Sequence, residues 1–429
     1  MKVIILAGGE GKRMWPIQTD KCLIPFLGKP LLYHNLKQVK ENVEGEFIIV
    51  VNPQSKDAVG KIAQELKLDY TIAIQGEPKG MADAILSAKD LIEGEVLVIN
   101  AEDQLDPKVY GEVIKGDGDV VVAGLKVDKY FPGGYINAKG DRLEAVVEKP
   151  GEGNEPSNMV KLVVDYFKDG KKLVEYLEKA TSEKDDVYEV ALDKMITDGM
   201  EVKFAKYQGI WIPLKYPWHV LDILGHLLGD IEQNISPASN ISEKAIISGP
   251  VVIEEGVKVF EGAVIKGPCY IGKNVIVGNN SMVRESDLEE GCVTGFNSDI
   301  TRSYIGANSW FHTNYIGDSV IEGDFGMGSG AVLANLRLDD HSIRVHVNGE
   351  LIDSGRHKLG LMVGKGSRVG VNASTMPGVK VGSNSFVGPG VVLREDVKDN
   401  KKVLVKQELE VTEHTPALTS YDQFRDKLK

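Results

Sequence analysis

From residue 247 onward apolar side chains return at every sixth position, and this period excludes most architectures open to a chain of 429 residues. Ile247, Ile253, Val259, Ile265, Ile271, Val277 and Val283 keep the interval without a gap; Val363, Val369, Thr375, Val381, Val387 and Leu393 resume it. A helix repeats its apolar stripe at about 3.6 residues, and a half-buried strand at every second residue. A six-residue period fits neither. It fits a solenoid whose coils have three flat faces, each hexad supplying one face and a turn. An ordinary β-sandwich with evenly spaced strands is the alternative, but it has no reason to hold thirteen positions in phase. Glycine directly follows Val363, Val369, Val381 and Val387.

Upstream the periodicity is different. Val3–Leu6, Phe47–Val51, Tyr70–Ile74, Val96–Ile99 and Val120–Ala123 read as strands, and Pro30–Val43, Ser55–Leu66 and Met81–Ile92 as helices between them. Such alternation predicts an α/β domain with a mainly parallel, helix-covered sheet. The expected organisation is an α/β domain over 1–229, closed by a helix near Pro217–Ile231, then a linker over 230–240. A solenoid over 241–411 follows, with a charged loop projecting at 336–360, and a tail over 412–429. A formal charge of −13 argues against a broad nucleic-acid surface, though not against a nucleotide, which needs only a local positive pocket. Cys22, Cys269 and Cys292 are too few and scattered for a disulfide framework or a zinc site, which points to reduced thiols in a cytoplasmic protein. Met1 runs almost directly into Val3–Ala7, a first strand rather than a signal peptide. No apolar run approaches the roughly 18 residues of a membrane span, so no membrane partner is expected.

The first strand leads into Leu6-Ala7-Gly8-Gly9-Glu10-Gly11-Lys12-Arg13-Met14-Trp15-Pro16. Glycines allow successive amides to approach and cradle phosphate oxygens. Arg13 adds a bidentate donor and Lys21 a point charge. Two commoner loops are excluded by spacing. A dinucleotide fingerprint needs a third glycine where Met14 stands, and a Walker A loop needs Gly-Lys-Ser/Thr.

Leu-Ala-Gly-Gly-x-Gly-x-Arg-Met-x-Pro, followed by Lys21, Pro25 and Gly28-Lys29-Pro30, resembles the signature of the sugar-1-phosphate nucleotidylyltransferases. Gln75-Gly76-Glu77-Pro78-Lys79-Gly80, Gly133-Gly134-Tyr135 and Val147-Glu148-Lys149-Pro150 continue the resemblance in order. It implies a Rossmann-like nucleotidyltransferase domain with Leu6, Ala7, Gly8, Gly9, Gly11, Gln75 and Gly80 on the nucleotide, Gln75 pairing with uracil or thymine. Gly134 and Glu148 would hold the sugar. Arg13, Lys21 and Lys149 would serve as cations in attack by a sugar 1-phosphate oxygen on the α-phosphate of UTP or dTTP. Glu148 and Lys149 taken singly would read as a solvated charge pair; in this order they read as functional. The family's Mg²⁺ carboxylate position is filled by Glu102, with Asp103 one residue on. Three departures stand out. Gly-Asp is replaced by Ala101-Glu102-Asp103, Trp-x-Asp by Trp211-Ile212-Pro213, and the sugar-contacting Asn-x-Gly by Lys161-Leu162-Val163, with Asp165 beyond.

In the solenoid, Trp310–Asp318 interrupts the hexads, and Gly326–Gly330, Ala334–Arg337 and Asp353–Gly360 follow. This resembles the acetyltransferase half of archaeal-type bifunctional enzymes that make UDP-N-acetylhexosamines. The resemblance implies a left-handed parallel β-helix, acetyl-CoA as co-substrate, His312 as base, Asn335 as substrate contact, and assembly as a homotrimer or a multiple of one. Arg337, Arg356 and Lys358 would offer cations to a sugar phosphate, and His341, His346 and His357 read as surface residues. The rival from another class is a regulatory or scaffold protein that senses nucleotide in front and only trimerises behind. Pro213 favours that rival; the intact run from Gly8 to Arg13 favours the enzyme.

Overall fold

A computed structural model describes residues 1–184, 186–415 and 425–427. In the front half, β1 (Lys2–Ala7), β2 (Glu46–Val51), β3 (Tyr70–Ile74), β4 (Val96–Asn100), β5 (Val120–Lys126), β6 (Gly134–Lys139), β7 (Arg142–Glu148), β8 (Met159–Phe167) and β9 (Val202–Tyr207) form one sheet. Its strand order is β3-β2-β1-β4-β8-β5-β9-β7-β6. The first four run parallel, and β8 lies antiparallel to both its neighbours. Ile4, Ile5, Ile48 and Ile49 are all buried, as continuous apolar runs must be when helices cover both faces. The helices are α1 (Leu31–Asn42), α2 (Lys56–Glu65), α3 (Met81–Leu86), α4 (Lys108–Ile114), α5 (Gly170–Lys179), α6 (Val187–Thr197) and α7 (His219–Gly229). Leu36 and Val39 of α1, Val59 of α2 and Val113 of α4 pack on one side; Ile85 of α3, Leu173 of α5 and Leu192 of α6 pack on the other. Helix α3 ends earlier than the sequence predicts, and a 3₁₀ turn at Lys89–Leu91 takes over. Ser87 hydroxyl donates to Ala84 O at 2.6 Å, local bonding that competes with the helix ladder.

The back half is the left-handed parallel β-helix. One ladder runs from Asn234–Ile235 through Cys269–Ile271 and Tyr304–Ile305 to Lys380–Val381, a second from Ile246–Ser248 through Met282–Arg284 to Val392–Leu393. The third begins at Asn240–Ile241, passes Val293 and Trp310 as single bridges, and ends at Lys402–Val403. The sixth-residue positions point inward: Ile253, Val259, Ile265, Ile271, Val277 and Val283 are buried, as are Val363, Thr375 and Val387. Asn234–Ile235, inside the stretch expected to be a linker, already pairs with Val252 and Ile253 as a rung. Residues 404–415 carry no strand, and most of the expected tail over 412–429 lies outside the described residues.

The loop over 336–360 does not project freely. It is a hairpin, Arg344–Val347 against Glu350–Asp353, that folds back on the front domain. Alternation decides this: Ile343, Val345 and Val347 are buried, while Arg344 and His346 between them and Asn348 beyond are exposed. The apolar set joins Trp218, Leu221 and Leu224 of the front half.

The first ladder's outward residues are covered by the front domain. Tyr270, Tyr304, Val320 and Met362 share a core with Phe26, Trp218 and Leu221, and the Phe26 and Tyr304 rings lie 5.5 Å apart. Burying each such side chain contributes about 1.5–3 kcal/mol. Polar contacts fix the register: Leu27 N–H donates to Asp287 and Gly28 N–H to Glu289, both at 3.0 Å. Gln18 and Thr19 N–H groups donate to one oxygen of Glu322, at 2.8 and 2.6 Å. Burial, then mutual repulsion, holds Asp287 protonated well above the usual carboxylate range. Burial pushes Glu289 up to about 7.

Candidate active sites

The glycine loop leaves the carboxyl end of β1 between β2 and β4, the crevice position favoured for ligands in such sheets. A Cβ at Gly8 would stand 2.7 Å from Gln75 Oε1, and Gly11 sits at φ +63°, so both positions need glycine. A cavity of about 700 Å³ opens there. Leu6, Gly8, Gly9, Gly11, Arg13, Lys21, Gln75, Gly80, Glu102, Asp103, Gly134, Glu148 and Lys149 all line it. Ala7 does not; it is buried in the core beneath. The nitrogen of Gln75 donates to Gly80 O at 3.1 Å and Asp83 Oδ2 at 2.8 Å, with the carbonyl oxygen turned toward Gly8. The Arg13 guanidinium lies 5.9 Å from the Tyr216 ring centroid.

Lys21 forms an ion pair with Glu102, and Asp103 Oδ2 accepts from the Trp211 indole at 3.1 Å. Burial raises both carboxyls above their ordinary values; the neighbouring Asp103 charge adds to the effect at Glu102. Two adjacent carboxyls that line this cavity are of the kind that could hold a divalent cation. No group of three or more His, Cys, Asp or Glu among the described residues could cage one. Mg²⁺ would therefore rest on Glu102 or Asp103 together with substrate phosphates, its usual mode.

The far end of the cavity holds residues whose part the sequence did not disclose. Lys161, standing where a sugar-contacting asparagine was expected, reaches Asp165 at 2.5 Å with both side chains buried. Tyr188 hydroxyl donates to the same Asp165 oxygen at 2.6 Å. Burial pushes Glu189 up to about 7. Glu148 and Lys149 pair with each other at 2.8 Å while lining the same end, and Gly134 leaves room for the Glu148 carboxylate, 3.2 Å from where a Cβ would be. Lys215, two residues past Pro213, points its ammonium over the Phe131 ring at 4.2 Å and donates to Pro132 O at 2.5 Å. Burial, then repulsion from Arg13 and Lys149, lowers it to about 7. Its only sequence signal was its place just beyond the Trp-x-Asp departure.

In the β-helix, His312 stands half-buried just before the rung Tyr315–Gly317, its ring 5.4 Å from that of Trp310. Asn335 follows the adjacent rung Val332–Leu333 and donates to Asp318 Oδ2 at 2.5 Å and Tyr315 Oη at 3.2 Å. The two thus flank the second ladder from opposite edges and do not meet within one chain. Arg337 is exposed and pairs with Asp339 at 2.5 Å; Arg356 is spent on Asp222 of α7. His341, His346, His357 and Lys358 are exposed. The outward side of the second ladder is apolar at Ile246, Met282, Val332 and Val392, with Phe296, Trp310 and Val371 exposed nearby.

Residues 2–212 match the nucleotidyl transferase family and residues 250–285 the bacterial transferase hexapeptide repeat family. Over 418 residues the chain is 33% identical to the bifunctional protein GlmU of Methanocaldococcus jannaschii, covering 95% of this chain and 98% of that one. It is 31% identical over 406 residues to a bifunctional sugar-1-phosphate nucleotidylyltransferase/acetyltransferase of Sulfurisphaera tokodaii, covering 92% and 98%. A GlmU protein of Methanococcus maripaludis is 31% identical over 423 residues, covering 96% and 99%.

Proposed function

Because the chain belongs to the family of bifunctional sugar-1-phosphate nucleotidylyltransferase/acetyltransferases, we propose that it works as two transferases in series on one sugar phosphate. The convergence of the Gly8–Arg13 loop, Gln75, Lys21, Glu102, Asp103 and Glu148 on one cavity carries the front-site reading. There a sugar 1-phosphate oxygen attacks the α-phosphorus of UTP or dTTP; the new P–O bond forms as the bond to the β-phosphate oxygen breaks, and pyrophosphate leaves. Such a transfer needs positioning and charge neutralisation more than covalent help. Loop amides and Arg13 hold the triphosphate, Lys21 and Lys149 draw charge from the reacting phosphates, and Glu148 with Gly134 seats the sugar. Glu102 or Asp103 would hold Mg²⁺, which would neutralise further phosphate charge. Lys215 is a fourth cation at this site.

In the back half, a hexosamine 1-phosphate amine attacks the thioester carbonyl of acetyl-CoA. The amide forms as the C–S bond breaks, the amine proton passes to His312 and from it to the sulfur, and coenzyme A leaves as its thiol. Asn335 orients substrate from a neighbouring chain, because in one chain it lies across the second ladder from His312. The apolar outward residues of that ladder are what a threefold assembly would bury. No helix among the described residues is long and apolar enough to cross a membrane. With three buried free cysteines, we place the protein in the cytoplasm, acting on small molecules. The scaffold alternative is not favoured by relatives that match both halves along their length.

The front reading is tested by calorimetric titration of the full chain with UTP, dTTP and ATP, Mg²⁺ present. A pyrimidine nucleotide is expected to bind at least about tenfold tighter than ATP, or about 1.4 kcal/mol. Equal affinities would remove Gln75 from base reading.

A further inference from the structure

One residue of the back half lines the front cavity. Asn348, at the tip of the hairpin that leaves the β-helix after Asn335, shares the cavity wall with Arg13, Pro213 and Lys215. Its position is built, not incidental. Val347 pairs with Glu350 across a two-residue turn, with Asn348 at φ 50° and Gly349 at φ 90°. An Asn-Gly pair with both φ positive is the preferred tight hairpin connection, so the tip is conformationally fixed. The stem is seated as firmly. Val345 and Val347 are buried in the interdomain core. Lys380 donates to His346 O and lies 4.5 Å over the ring of Trp15, two residues past Arg13. Trp15 in turn donates its indole N–H to Asp399 at 3.1 Å. Hairpin and glycine loop are therefore held against the same part of the β-helix, with the tip lining the cavity.

We propose that the Asn348 carboxamide is a substrate-contacting residue of the nucleotidylyl site, donating a hydrogen bond to the nucleotide's phosphate chain, so that the β-helix domain completes the front site. The proposal rests on the front-site reading above. A neutral donor suits the cavity: its lining already holds the cations Arg13, Lys149 and Lys215, and another would be held there against their repulsion. A carboxamide adds two N–H donors with no charge.

The test uses the full chain and two substitutions that keep the turn. Asn348→Gly retains the positive φ and removes the amide; Asn348→Asp retains the shape and exchanges a donor for an anion. Pyrophosphate release is followed with UTP, a panel of sugar 1-phosphates and Mg²⁺; thiol release from acetyl-CoA and the thermal midpoint serve as controls. Asn348→Gly is expected to raise KM for the nucleotide about tenfold with kcat within about twofold, the size of one hydrogen bond to a charged group. Asn348→Asp should raise it further, and the controls should stay at wild-type values. Wild-type kinetics in both variants would overturn the proposal while leaving the front-site reading intact. A fall in thiol release or midpoint that accompanies the KM change would also overturn it, because the residue would then act through the fold. If the wild type releases no pyrophosphate with any sugar 1-phosphate, the front reading fails and this proposal with it.

Discussion

The front cavity and the edge of the β-helix place their chemistry in opposite ways. In front, a glycine loop, a glutamine, two carboxyls and several cations converge from distant strands on one open cavity. Behind, a half-buried His312 and a buried Asn335 sit by separate rungs, at opposite edges of one ladder. A globular domain gathers residues by folding over them. A solenoid contacts only its neighbouring rungs, so it gathers residues only by bringing up another copy. On the proposed reading the first kind of site is complete in one chain, and the second depends on assembly.

The largest expected effect separates the two chemistries. His312→Ala should lower thiol release from acetyl-CoA with glucosamine 1-phosphate or galactosamine 1-phosphate by about 10²–10⁴, the usual contribution of a general base. Pyrophosphate release should not change. Wild-type thiol release in this variant would place the base elsewhere. The assembly half of the comparison is broken next, by Val332→Asp on the apolar side of the second ladder. Light scattering should then report a smaller species than wild type, with thiol release down at least about tenfold, since one buried unpaired carboxylate opposes association. The front activity should persist. A wild-type monomer with full thiol release would end the dependence on assembly.

The smallest effect sharpens the description of the front cavity. Lys215 is lowered to about 7 by burial and by its cationic neighbours. Below that value it is charged and attracts phosphate; above it the charge is lost. The kcat/KM for pyrophosphate release should therefore fall as pH rises past about 7, by up to about tenfold per unit, since this ratio reports groups of the free enzyme. Lys215→Arg, which stays charged, should flatten that limb. An unchanged profile in the variant would show that Lys215 does not bear on substrate.

Legibility in the sequence follows the same division. The hexads marked the β-helix wherever coils keep one length: Val251 pairs with Cys269, eighteen residues on, and Met362 with Lys380 at the same spacing. Between them the rungs shorten. Tyr270 pairs with Asp287, seventeen residues on, and Tyr304 with Val320, sixteen on. The ladder continues while the hexad phase is lost, which is why Trp310–Asp318 reads as an interruption although its strands pair normally. The hairpin was legible as a charged loop because its arginines and aspartates dominate the composition. Its alternation at Ile343, Val345 and Val347 carried the missed information, that one side is buried. In front, the glycine loop was legible because phosphate binding needs backbone freedom at fixed spacing. Lys215 and the Lys161–Asp165 pair were not, because single charged residues carry no period.

Docking along one flank also turns the β-helix into a ruler. Leu27 is tied to Asp287, Thr19 to Glu322 and Trp15 to Asp399, so one run of front-domain residues is measured off against successive coils. Adding or deleting a whole coil between Asp287 and Asp399 would displace one tie from the next by a strand spacing, about 4.8 Å, and break the set. An excursion from a corner has no such effect. The hairpin leaves the coil after Asn335, and Leu359 N–H returns to Asn335 O at 2.9 Å with the ladder in step. Length variation among natural versions of this chain is accordingly expected at corners and beyond the ties, with the number of coils between them constant.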